Sequence, residues 1–134
     1  YVVLPLENMP STSDVNESAK RAGVPIRLDQ TSLDGQSGYM NVLINEESGG
    51  VETYVYEAEN ISSIIPDNNN LDLGRSIAIE FRCGSNFKEA LAAFYLVQVF
   101  ISEYNASAFS SESGTWIDLE SVIKAVSTFE AIAR

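Results

Sequence analysis

The side chains best placed to do chemistry are carboxylates that come in pairs: Glu46 with Glu47, Glu57 with Glu59, and Asp118 with Glu120. Such pairs run general acid–base catalysis when their environments push two pKa values apart across a bound substrate. Two of these pairs have a simpler use. Glu46-Glu47 falls in a polar turn, where solvation is the default, and Asp118 stands where a helix needs an N-cap. Glu80 and Arg82 lie two apart on one strand face, which predicts a surface ion pair rather than a catalytic acid. No catalytic residue is assigned.

Two other constellations invite a ligand. Asn68, Asn70 and Asp72 carry oxygens at alternate positions, as a calcium loop requires, but Gly74 and Glu80 each come one residue late for the EF-hand pattern. A solvated turn is the expectation and weak calcium binding the alternative. Tyr39, Tyr54, Tyr56 and Trp116 are residue types favoured at interfaces; packing against helices is the expectation for them, and a binding surface the alternative. Phosphate-cradling glycine motifs are absent, so no cofactor is expected.

Missing residues close further routes. Without histidine, Ser-His-Asp and Cys-His mechanisms and histidine-ligated zinc are excluded. Cys83, the single cysteine, continues the apolar alternation Ile77, Ile79, Phe81 and is expected as a small core residue. A lone thiol suits a reducing compartment, and no signal peptide precedes the first strand, which together predict a cytoplasmic protein. Three Asn-x-Ser sequons, at Asn16, Asn60 and Asn105, and a start at Tyr1 rather than Met argue weakly the other way. The longest apolar run, Ala90 to Val97, is far short of the roughly 20 residues of a membrane span.

The elements that must position these residues follow from periodicity and punctuation. Tyr1 to Leu4 reads as a strand, Ser11 to Ala22 as a helix stopped by Gly23, and Val24 to Leu28 as a short strand whose Pro25 suggests an edge. Gly38 to Ile44 and Val51 to Ala58 form a hairpin across the link Asn45 to Gly50. A strand ends at Cys83, and Asn86 caps a helix to Tyr104 that is apolar almost all round and belongs at the centre of the core. Asn105 to Thr115 reads as a loop. Asp118 then caps a last helix with the stripe Val122, Val126, Phe129, Ala133. The order β-α-β-β-β-β-α-α, with no linker or repeat, predicts one α+β domain over residues 1–134: a mainly antiparallel sheet with helices packed on it, as a two- or three-layer sandwich.

Charge is the remaining signal. The chain carries 19 acids and 8 bases, a net charge of −11, and residues 28–74 contain no lysine or arginine at all. That stretch holds Asp29, Asp34, Glu46, Glu47, Glu52, Glu57, Glu59, Asp67 and Asp72, so most of the imbalance belongs to the central hairpin and its flanking loops. A solvated surface is one reading. The sharper one is an anionic face for a basic protein partner, with Glu46, Glu47, Glu52 and Glu57 as its binding residues. The same field opposes nucleic acid and anionic membrane. Oligomeric state is left open.

In size, acidity, α+β plan, the hairpin strand Gly38-Tyr39-Met40-Asn41-Val42-Leu43-Ile44 and the helix from Asn86 to Tyr104 after a strand, the layout resembles small bacterial immunity proteins that neutralise a cognate polymorphic toxin. The resemblance carries no residue-level motif. It implies a non-enzymatic inhibitor that binds a basic toxin or effector and covers or distorts its active site. A small enzyme or ligand-binding domain using carboxylates and tyrosines in a pocket is the other class of function.

Overall fold

The computed structural model describes residues 1–66, 71–84 and 86–133. Among these, seven strands form one antiparallel sheet curled into a half-barrel, and three α-helices pack on one side of it. The elements in chain order are β1 (Val2–Pro5), α1 (Thr12–Ala22), β2 (Ile26–Leu28), β3 (Ser37–Ile44), β4 (Gly50–Glu57), β5 (Ser76–Arg82), α2 (Phe87–Tyr104), β6 (Ser107–Ser110), β7 (Thr115–Ile117) and α3 (Leu119–Ala133). Strand order across the sheet is β2-β3-β4-β5-β1-β6-β7, so β1 lies between β5 and β6 and β2 is an edge, as Pro25 suggested. The α+β architecture with a mainly antiparallel sheet is the one expected.

Local chemistry explains the helices. Ser11 and Asp14 form a reciprocal capping box at the start of α1, satisfying two backbone donors that a helix leaves unpaired. The Asn86 side chain accepts from the Lys88 N–H at 2.8 Å, and Asp118 accepts from the Ser121 N–H at 2.8 Å. Nine residues of α2 are buried, because α1, α3 and the sheet all pack against it.

Alternation along the strands divides the sheet into two faces. Val2, Leu4, Met40, Val42, Val51 and Ile79 point into the core beneath the helices, where Leu96, Val99 and Phe100 meet them. On the other face Val3 and Ala78 are covered by a small cap containing the 3-10 turn Ala58–Ile61, with Ile61 and Ile65 buried in it. This cap is a partial third layer. It explains why Val2-Val3-Leu4 is apolar without alternation: β1 is sealed on both sides from Val2 to Leu4.

Several expectations need correction. Residues 105–115 are not all loop: β6 pairs with β1 (Val2↔Ala108) and β7 with β6 (Phe109↔Trp116). The Ser- and Ala-rich sequence of β6 has little strand propensity apart from Phe109, and pairing to β1 supplies what propensity does not; the β-prone β7 enters that span only with Thr115. Cys83 is exposed rather than in the core, because pairing of β5 ends at Arg82 and the alternation has no sheet to act on beyond it. The hairpin link is also shorter than expected. Ile44 and Glu47 still exchange hydrogen bonds, leaving a two-residue turn at Asn45-Glu46 with φ of 52° and 64°. Two successive positive φ values make a type I′ turn, whose twist matches that of the strands.

Candidate functional site

The helix-free face of the sheet carries the unusual chemistry. Register sets it out in rows: Tyr39 and Arg82 flank Glu52, and Tyr54 pairs with Glu80. The tyrosines therefore do not pack against the helices. Tyr39, Tyr54 and Tyr56 all lie on the face turned away from them, a correction that follows from period-two alternation once Met40 and Val55 are placed in the core. Trp116 shares that face, its ring 5.6 Å from that of Phe109.

Glu80 organises the middle of this face. Its Oε1 accepts from the Tyr56 hydroxyl at 2.8 Å and its Oε2 from Arg82 Nε at 2.8 Å, and its side chain is only 12% exposed. Arg82 in turn lies over the Tyr54 ring, 4.5 Å from the centroid, and the Tyr54 and Tyr56 rings run nearly parallel at 6.5 Å. Burial pushes the Glu80 carboxyl up, but hydrogen bonds from Arg82 and Tyr56, with the Arg82 charge, outweigh it and hold the group below the ordinary carboxylate range. Burial raises the Tyr56 phenol, and the hydrogen bond to Glu80 raises it further. Arg82 is raised by the same carboxylate. The Tyr1 phenol adds a further hydrogen bond, so three donors meet on one ionised acceptor, and the ion pair expected of Glu80 and Arg82 is part of the set.

The four acids expected to bind a partner are not brought to one point. Glu46 and Glu47 sit at the hairpin tip, Glu52 in mid-strand on the helix-free face, and Glu57 at the far end of β4, about 17 Å along the strand from Glu52. All four are exposed. Arg27, on β2, holds the Glu46 carboxylate with two hydrogen bonds of 3.0 and 3.3 Å, and its charge and hydrogen bonds lower the Glu46 pKa. Glu47 borders a shallow cavity of about 150 Å³ shared with Lys88, Tyr95 and Glu130. The Tyr95 hydroxyl donates to Glu130 at 2.7 Å there.

The remaining candidates resolve as local structure. Asp118 caps α3, and Glu120 pairs with Lys124 at 3.6 Å. Asp72 accepts from the Gly74 N–H at 3.2 Å, while Asn68 and Asn70 of the calcium reading lie outside the described residues. Among the described residues no three acidic or cysteine side chains converge to hold a metal ion, and no helix is long and apolar enough to cross a membrane. A larger cavity, about 310 Å³, opens at the end of β5 beside α2, lined by the apolar Phe81, Phe94 and Val97 and by Glu80, Arg82 and Cys83. Burial raises the Cys83 thiol, which disfavours the reactive thiolate.

Comparison with protein-family models, curated proteins and solved structures finds no match to this chain.

Proposed function

We propose that the chain is a non-enzymatic protein-interaction domain that docks a basic protein through the β2-β3-β4 flank of its sheet. The form implied by the immunity-protein resemblance, an inhibitor of a basic toxin or effector, is the most concrete version of that reading. The observation that carries it is the placement of charge. Asp29, Asp34, Glu46, Glu47, Glu52 and Glu57 are all exposed on these strands and their loops; Arg27 pairs with Glu46 and Asp29, and no other base lies between it and Arg75 in the chain, so acids outnumber bases on this flank. Such a field accelerates encounter with a cationic surface and repels anionic ones.

The test is the association rate of the partner captured at low salt and released at high salt. Glu47→Lys leaves the Arg27–Glu46 pair intact, and Glu46→Lys with Glu47→Lys removes it. At low ionic strength the double variant is expected to associate about tenfold more slowly, the single variant less so, and both differences shrink in high salt. Equal rates for wild type and both variants overturn the proposal.

One observation favours a second reading, a ligand-binding domain: the cavity of about 310 Å³ lined by apolar side chains together with Arg82. An aliphatic carboxylate such as octanoate would satisfy both parts. A rise in melting midpoint with octanoate, lost in Arg82→Gln, would promote that reading over the first.

A further inference from the structure

The acidic flank ends in a sheet edge that is unpaired. β2 covers β3 only from Val42 to Ile44: the pairs are Ile26↔Ile44, Arg27↔Leu43 and Leu28↔Val42, with Asn45 N–H donating to the Pro25 carbonyl at 2.9 Å. After Leu28 the chain leaves the sheet. Thr12 Oγ1 donates to the Thr31 carbonyl and Leu33 is buried in the core, so the segment crosses toward α1 before rejoining at Gln36.

Hydrogen-bond parity shows what this leaves. Val42 N–H bonds to Gly49 and Ile44 N–H to Glu47, so the even-numbered residues of β3 face β4 and the odd-numbered ones face outward. Leu43 spends its outward groups on Arg27. Tyr39 and Asn41 have no strand beside them, and among the described residues neither is hydrogen-bonded to residues 29–35. Their two N–H and two C=O groups form an open edge. The usual guards are missing, since β3 has no lysine, proline or bulge. Tyr39 is 59% exposed, its ring lying across Gly50, where a Cβ would come within 2.5 Å of it.

Deepening the proposal above and resting on it, we infer that Tyr39–Asn41 is the docking edge itself: an extended, lysine- or arginine-rich segment of the partner adds as a strand outside β3. Main-chain bonds to Tyr39 and Asn41 hold it. Alternate side chains of that strand then fall on the helix-free face next to Tyr39 and Asn41, and a lysine or arginine there reaches past Tyr39 toward Glu52, its neighbour on β4. Charge also selects the occupant. A second copy pairing edge to edge would bring two sets of these acids together, which the net charge of −11 opposes.

The probe is the end-capped peptide Lys-Val-Lys-Val-Lys-Val-Lys, compared with Lys-Pro-Lys-Pro-Lys-Pro-Lys N-methylated at its lysine amides, a proline peptide of the same charge with no residue N–H left on either edge to join a ladder. At low salt the alternating peptide is expected to bind about tenfold more tightly and to slow amide exchange at Tyr39 and Asn41 by at least about tenfold, with no slowing from the proline peptide. Asn41→Pro removes one outward N–H and is expected to lose the difference between the peptides. Methylating the valine or lysine amides that face β3 tests the same bond in wild-type protein, should that variant not fold. Equal, salt-sensitive binding of both peptides overturns strand addition and leaves the acidic-flank proposal standing. Binding of neither overturns both. Protection of these amides in a dimer without peptide assigns the edge to a second copy and overturns the inference.

Discussion

The two faces of the sheet are built from the same strands and obey opposite rules. Beneath the helices every inward residue of β1 is fully buried, and Phe100 of α2 is 1% exposed among aliphatic neighbours. On the other face only the end near Val3 and Ala78 is capped, and the remainder is a lattice of tyrosines, Glu80 and Arg82 ending at Tyr39. One face gains stability from area removed from water; the other is ordered by directed bonds around a single carboxylate. Variation should therefore be costly on the first face and informative about binding on the second.

The largest test of that contrast is Phe100→Ala, which leaves a cavity between the sheet and α2 and is expected to cost about 3–5 kcal/mol. Chemical denaturation of this variant beside Tyr39→Ala measures it, and equal losses would erase the distinction between the faces. Gly50→Ala comes next. Its Cβ would stand 2.5 Å from the Met40 carbonyl oxygen and from the Tyr39 ring. The ring can swing away but the carbonyl cannot, so a loss of about 1–3 kcal/mol is expected, with a changed Tyr39 fluorescence environment.

Smaller effects probe Glu80. Its folded pKa is depressed, so its contribution is present above the ordinary carboxylate range and lost as pH falls through the folded value. Melting midpoints of Glu80→Gln should lie below wild type near neutrality and converge with it in acid. A constant gap at all pH values would show that Glu80 is not held ionised. The smallest expected change is Glu46→Gly, which relieves a left-handed glutamate in the Asn45-Glu46 turn at the loss of an exposed ion pair. A rise of about 3 °C in the melting midpoint is expected, and a fall would mean that the Arg27 pair outweighs the turn strain.

How much of this was legible varied with the range of the interaction involved. Ser11, Asn86 and Asp118 announce their helices because a cap acts on an N–H two or three residues away. The hairpin was legible from its alternation, although its glycines at 49 and 50 drew attention from the tighter turn at Asn45-Glu46. Ser107 to Ser110 has only Phe109 to favour a strand among two serines and an alanine; the instruction sits in β1, more than 100 residues earlier. Cys83 was misplaced for a related reason, since an alternation does not state where its partner strands end. Of the candidate site, the acids and the Glu80–Arg82 pair were readable. That Tyr1 and Tyr56 join Arg82 on Glu80, and that the edge at Tyr39 and Asn41 is left open, were not.

By itself the sequence determined the charge of the hairpin flank, the absence of histidine chemistry, the helix boundaries and which residues alternate along each strand, because composition, capping and periodicity are local properties. Only the tertiary structure decided which alternation faces the helices, where each strand runs out of partners, and that β2 stops short of Asn41. Those outcomes depend on pairing between residues far apart in the chain, and a one-residue change of register would have reversed them.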